Sequence, residues 1–457
     1  MNMSNESQID FVERTTGIQP KERAAVAWAL VYIIALFLAY YVLRPIRDEL
    51  GVAGGVKNLP WLFTGTLLAM LIATPLFGYA VRRFSRRRFI VISYRFFAAH
   101  LIIFASLLVL GSDSQQAWIG RAFFIWTSVF NLFVVSVFWS FVTDIFDSSQ
   151  GKRLFGILAA GATVGGLLGS ALTSGLVAHI GPVWLIVISI VMLELAVFAS
   201  ARLARNSVLL HESAMDPDSE KPVGGGIFAG LVHTFRSPYL LGLAGFILIY
   251  SITSTFLYFQ QASIAEANFP TREARTAFFA SIDLWVNAIT LVIQVFLTGR
   301  LMAGTGVLIT LCALPLVSVI GFAGLASSPS IGVFVAVQVA RRVANFALAR
   351  PSREVMFTSV RREDRYKAKN FIDTVIYRGG DQVASWSYAG LMALGLGMAQ
   401  IAVVGIPLSL IWLGLSYWLG RTHMQVEQSK VSPNPRLTPG LVVQPTARER
   451  DPATAPR

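Results

Sequence analysis

The chain has 457 residues, 54% of them hydrophobic and only 14% charged, with a mean hydropathy of +0.61. A soluble domain of average composition carries about 25% charge, so these values argue against a soluble multidomain enzyme. The formal charge is +13, which in a soluble protein raises nucleic acid as a partner, and the lone Cys312 excludes an intrachain disulfide framework or a cysteine-based metal cluster.

Residues 1–23 are polar and partly acidic, and no small-residue cleavage site clearly follows the first apolar run, so that run reads as a retained span behind a cytoplasmic tail. Apolar windows of about 20 residues, enough for a helix to cross roughly 30 Å of hydrocarbon, then recur. Twelve are expected: 24–43, 59–81, 89–110, 118–141, 155–178, 182–201, 239–262, 277–298, 305–326, 331–357, 371–396 and 399–419. They lack the alternation of barrel strands, so the expected fold is an all-α polytopic membrane protein.

The polar stretch 202–238 divides the spans six and six, giving bundles at 24–201 and 239–419 and a disordered cytoplasmic tail at 420–457; six plus six resembles the two halves of the major-facilitator fold, which is the fold expected. With the N-terminus inside, 28 of the 38 Lys and Arg fall in the tails and the loops on its side, Arg350 and Arg353 at the inner end of span 10 counted among them. This is the positive-inside bias of an inner-membrane protein with both termini cytoplasmic, and it replaces nucleic-acid binding as the reason for the basic balance.

A charge within hydrocarbon costs about 2.5–3.5 kcal/mol on insertion scales and is usually paired or faces a polar cavity, so the ionisable residues within spans are the candidates for function. Span 1 closes on Arg44, Arg47, Asp48 and Glu49. The loop after span 2, GYAVRRFSRRR, clusters five arginines where anionic headgroups begin, either an anchor or, through Arg83, a gating contact. It resembles the loop motif of major-facilitator transporters at Gly78, Arg83, Arg86 and Arg87, but has Arg82 and Ser85 where that motif has Asp and Gly. Span 3 carries Arg95, and His100 as a helix contact or a proton relay; Arg121 in span 4 and Glu194 in span 6 are discounted as near the interfaces.

In span 5, Gly161, Gly165 and Gly169 form a small-residue face suited to close helix packing or to sliding. Asp283 lies in span 8. In span 10 the adjacent Arg341 and Arg342 diverge by about 100°; Arg342 with Asn345, Ala349 and Arg353 forms the stripe expected to line a path, its alternative being a salt link to Asp283 or to span 11. In span 11, Lys369 with Asp373 and Arg378 with Asp381 have the spacing of local ion pairs, structural or part of a coupling switch.

Three blocks resemble the nucleotide transporter, or ATP:ADP antiporter, family: YYVLRPIRDELGV (40–52), FWSFVTDIFDSSQGKRLFG (138–156) and RRVANFALARPSREVMFTSVRREDRYKAKNFIDTVIYRGGD (341–381). The resemblance implies a twelve-helix bundle that exchanges nucleotides, with Arg44, Arg47 and Asp48 as path residues. It also implies Arg342, Arg353, Glu354, Lys369 and Asp373 as path or gate residues. The chain has Arg350 where the family has Asp.

Cations outnumber acids along the expected path, and arginine forks match carboxylate and phosphate oxygens. The expected function is therefore secondary active transport of an anionic or zwitterionic organic solute, nucleotide-like if the resemblance governs, by alternating access in a monomer. The bilayer and the solute are its partners, protons a candidate coupling ion, and no cofactor is expected. The alternatives are proton-coupled export of a metabolite or metal-chelating compound and a non-transporting assembly protein. No phosphate-binding loop (G-x-x-x-x-G-K before Ser or Thr), H-E-x-x-H pair or nucleophile with its base occurs, so an enzyme is not expected.

Overall fold

A computed structural model describes residues 18–83, 86–207, 234–235, 237–360, 368–369 and 371–431. Ser85, most of the expected linker and the tails 1–17 and 432–457 lie outside the described residues, and nothing is described of the Arg82 side chain. The longer elements are α1 (Arg23–Ala53), α2 (Leu59–Arg83), α3 (Arg86–Leu110), α4 (Asp113–Ile145), α5 (Ser148–Ser207), α6 (Pro238–Asn268), α7 (Arg272–Ile293), α8 (Gly299–Ser327), α9 (Ile331–Ala344), α10 (Arg350–Thr358), α11 (Tyr377–Ala393) and α12 (Met398–Val431). Wider π turns at Gln294–Thr298, Asn345–Ala349 and Ile372–Ile376 join α7 to α8, join α9 to α10, and lead into α11.

Helices satisfy every backbone polar group internally, which hydrocarbon demands. Their starts are capped by short polar side chains: the hydroxyls of Ser237, Thr271 and Ser330 accept from the amides of Leu240, Ala274 and Val333. Nine helical stretches among the described residues are long and apolar enough to cross a membrane. The chain is an all-α polytopic membrane protein.

Two stretches that count as one helix each turn back on themselves. Before Gly181, α5 runs parallel to α1: Gly161 faces Leu30 and Ile33, Gly165 faces Ile34, and Gly169 faces Leu38. After Gly181 it runs antiparallel, with the Ser189 hydroxyl donating to the Ala39 carbonyl and Phe198 packed edge-on to Trp28. At Gly181 φ is 73°, a left-handed value that glycine adopts without a Cβ penalty. Gly306, with φ 76°, does the same in α8. Before it, Gln294 and Thr298 meet Phe346 and Ala347 in parallel; after it, Thr310, Ser318 and Gly321 meet Ser352, Arg341 and Val337 in antiparallel order.

Helices α1, α3, α4 and α5 close around one apolar core containing Tyr32, Tyr94, Phe123, Phe130 and Phe138. Helices α6, α8, α9, α10 and α12 close around a second, with Phe246, Leu314, Phe357 and Trp412. A third cluster joins the two sets through Phe124, Phe256, Phe259 and Phe279. Helix α7 packs on α5 and α1, and α2, which lies against α4, packs on α11, so the helices before and after 202–238 meet along α7–α5, α7–α1 and α2–α11.

Helices α1 and α6 end on one face, where Glu49 meets Arg275 just beyond α6. Their starts lie on the opposite face, which the end of α12 also reaches, since His423 approaches the Tyr239 hydroxyl at the start of α6. Exposed Trp61, Trp118 and Trp184 ring the Ala53 face, the level at which amphipathic rings favour a membrane interface.

Two boundaries differ from expectation by ten residues or more. Helix α1 continues ten residues past 43, because its arginines and acids point into protein, not lipid. Helix α12 runs on to Val431, so 420–431 is helical and not tail.

Candidate functional site

On α1 the spacing 40, 44, 47, 48 gathers Tyr40, Arg44, Arg47 and Asp48 on one face. Arg44 Nη1 lies 3.2 Å from Asp283 Oδ1 on α7, and Arg342 Nη1 of α9 lies 2.6 Å from the same oxygen. Asp283 is buried, and Arg342 Nη2 is buried with no hydrogen-bond partner. The carboxylate therefore joins a cation from the first group of helices to one from the second. Beside it, Arg47 pairs with Asp48 at 2.5 Å, and the Tyr258 hydroxyl of α6 donates to Asp48 at 3.0 Å. Arg47 also sits 4.9 Å over the Phe124 ring.

The second group supplies the far wall. Arg378 lies 3.1 Å from Asp381 Oδ2, while the hydroxyls of Ser251 and Thr255 donate to Asp381 Oδ1 at 2.5 and 3.1 Å. Asn345 donates to the Tyr250 hydroxyl at 3.0 Å. Arg44 lies 5.7 Å from the Tyr41 ring centre and Arg378 5.4 Å from that of Tyr377, so aromatic rings from both groups flank the charges. Around this centre Arg44, Arg47, Arg342 and Arg378 face Asp48, Asp283 and Asp381, an excess of one cation.

Arg341 points the other way, as the divergence of adjacent helical residues requires. It is buried between the Tyr250 and Trp412 rings and donates only to hydroxyls, those of Ser318, Ser254 and Thr253.

Toward the face bearing the described chain ends, Arg353 reaches Asp373 at 3.3 Å and Lys369 pairs with Glu354. The expected local pair between Lys369 and Asp373 is replaced by these two bridges. A π turn begins at Ile372, and its wider winding breaks the four-residue alignment on which that pair depended. The expected stripe from Arg342 through Asn345 to Arg353 is interrupted for the same reason, by the π turn Asn345–Ala349.

Arg83 is exposed at the end of α2. The structure does not bring Arg95 to the cluster: it pairs with Glu194 at 3.4 Å, both side chains largely exposed. His100 stacks near Trp126, with Nδ1 2.8 Å from the Phe96 carbonyl. Among the described residues no group of three His, Cys, Asp or Glu is placed to hold a metal.

One contact set escapes sequence reasoning. Buried Glu49 at the end of α1 takes Arg275 at 3.1 Å and Arg272 at 3.7 Å, and Arg272 reaches the Gln116 amide oxygen of α4 at 3.3 Å. Trp61 packs on Trp386 at 4.8 Å, and Gln382 accepts from Thr64 at 3.0 Å. Only the amphipathic end of span 1 hinted at it, since Arg272 and Arg275 read as loop charges. Among the described residues, polar contacts between the two groups run from here down to Thr163, which donates to Gln294 at 3.1 Å.

Residues 24–365 match the family described as the Major Facilitator Superfamily. The ADP,ATP carrier protein 1 of Chlamydia muridarum is 22% identical over 382 residues, covering 74% of this chain and 72% of that protein. The same-named protein of Chlamydia trachomatis is 22% identical over 68% of this chain and 67% of its own length. By fold, the chain resembles a bacterial homologue of the human lysosomal transporter Spinster, in an inward-facing, unoccupied conformation, with TM-score 0.55, 14% identity and coverage of 89% of this chain and 98% of that one. It also resembles an auto-inhibited POT family peptide transporter, with TM-score 0.56, 13% identity and 88% and 96% coverage.

Proposed function

The chain belongs to the Major Facilitator Superfamily, and from that premise we propose that it carries an anionic or zwitterionic organic solute through the cluster around Asp283. It is a membrane transporter that moves a solute by alternating access, and not an enzyme. The observation that carries the reading is the shared Asp283: two arginines from opposite groups of helices converge on one oxygen, and one of them keeps a buried donor without a partner. A buried unpaired guanidinium nitrogen is costly, and an anionic oxygen removes that cost.

The reversals at Gly181 and Gly306 divide the nine stretches further and, with α11, support twelve crossings in two sets of six separated by 202–238. The solute path runs past Arg44, Arg47, Asp48, Asp283, Arg342, Asn345 and Arg378. Arg353, Glu354, Lys369 and Asp373 form the gate on the side of the chain ends, with Arg83 at its rim. Arg95 keeps only a peripheral role. The basic bias favours both ends in the cytoplasm of an inner-membrane protein, and a monomer suffices because two six-helix halves can close a path within one chain. The curated relatives named as ADP,ATP carriers, together with the tyrosines flanking the arginines, favour a nucleotide-like anion exchanged across the membrane.

Asp381 supports a second reading, coupling to protons: it is a membrane-buried carboxylate held by two hydroxyls and one arginine.

Purified protein in liposomes, loaded and challenged with labelled ATP, ADP, inorganic phosphate and citrate with and without a pH gradient, tests the proposal. Saturable counterflow of at least one anion, lost on Arg342→Gln, is the expected result. Counterflow of none overturns it, and dependence of the rate on the pH gradient separates proton coupling from exchange.

A further inference from the structure

Arg44 and Arg342 belong to helices that precede and follow the 202–238 segment, and both give their Nη1 to Oδ1 of Asp283, at 3.2 and 2.6 Å. The arginine side chains are 20% and 13% exposed and that of Asp283 3%, so water screens the trio poorly. Like charges this close repel strongly in a low-dielectric surrounding, and an uncompensated buried charge is among the costlier features a protein can hold.

Alternating access takes the carrier through a state closed to both sides. A loaded carrier makes that passage with the solute's anionic oxygens against the arginines. Net transport demands a second passage with the site empty, whereas one-for-one exchange does not. In the empty passage the two cations need another partner, and Asp283, within 3.2 and 2.6 Å of them, is placed to be it.

We infer that Asp283 is the carrier's resident counter-anion, occupying between Arg44 and Arg342 the position taken by the solute's anionic group, so that the empty protein can reorient and transport runs as net flux as well as exchange. This deepens the anion-transport reading and rests on it. Arg342 is where the exchange of partners begins: its Nη2 is buried and unpartnered while Nη1 holds Asp283, so an arriving anion can engage one nitrogen before the other lets go. Asp283 acts as a positioning residue that competes with the solute for both arginines.

The test compares two fluxes in the same liposomes, using labelled ATP, ADP, inorganic phosphate and citrate as probes: efflux into medium without anion, and counterflow against the same anion outside. Wild type is expected to give both. In Asp283→Asn the ratio of net efflux to counterflow is expected to fall about tenfold or more, which corresponds to roughly 1.4 kcal/mol or more added to the empty passage alone. Anion binding by that variant is expected to tighten, since its internal competitor is gone, and Asp283→Glu is expected to recover net efflux. A merely structural role for Asp283 lowers both fluxes together and leaves the ratio unchanged, which overturns the inference. So does wild-type protein that shows counterflow without net efflux, a result independent of whether any variant folds. Counterflow of no probe in wild type overturns the anion reading and this inference with it.

Discussion

Arg341 and Arg342 are neighbours in sequence and opposites in environment. Arg342 meets a carboxylate and retains a free donor, whereas Arg341 is enclosed by three hydroxyls and two aromatic rings. Removing the guanidinium of Arg342 takes away the group that would hold the solute, so Arg342→Gln is expected to lower counterflow by about tenfold or more, the loss typical of one charge-assisted contact. Arg341→Lys keeps the charge but cannot place donors on Ser318, Ser254 and Thr253 together. It is expected to destabilise the protein by about 2–4 kcal/mol, read as a lower thermal midpoint in detergent. At this scale the sequence was informative where partners are local: Arg378 and Asp381, three apart on a regular turn, do pair. It was uninformative for Lys369 and Asp373, because nothing in the residue types announces the π turn that begins at Ile372 and contains Asp373.

Glycine spacing sets how closely α1 and α5 approach. A Cβ on Gly165 would stand 2.5 Å from the Ile34 carbonyl oxygen, and one on Gly169 2.7 Å from that of Leu38. Backbone offers no rotamer by which to retreat, so Gly165→Ala is expected to cost about 1–3 kcal/mol through overpacking. Gly156 on the same helix has open space at that position, and Gly156→Ala is expected to be neutral or to stabilise by up to about 1 kcal/mol; paired thermal denaturation of the two variants checks both. The four-residue glycine period is legible in the sequence because it is a property of one helix. Its partner is not, since every apolar helix offers a comparable surface in lipid, where no aqueous drive selects among them. The reversal at Gly181 is partly legible, because the Gly181-Pro182 pair interrupts an apolar stretch, whereas Gly306 has no such flank.

Contacts between the two groups of helices gather on the Ala53 face, through Glu49, Arg272, Arg275, Gln116 and the Trp61–Trp386 pair. Removing the Glu49 carboxylate leaves the two arginines of α7 without the acid that ties them to α1 across that closure. Glu49→Gln is therefore expected to open it: in a Cys312→Ser background, a Tyr40→Cys reporter near the cluster should react several-fold faster with an impermeant maleimide applied from the Ala53 face, roughly the effect of losing one buried charge partner. An unchanged labelling rate would mean that the aromatic contacts hold this face alone.

Hydropathy sufficed for an all-α membrane chain, because each residue meets the cost of entering hydrocarbon largely on its own. The same local logic marked Arg44, Asp283 and Arg342 as residues that need a reason to be in a membrane. That the three share one oxygen was decided by the tertiary structure. They stand 239 and 59 positions apart along the chain, and a partner at that separation is chosen by which helix faces meet, through packing that no single segment of sequence contains.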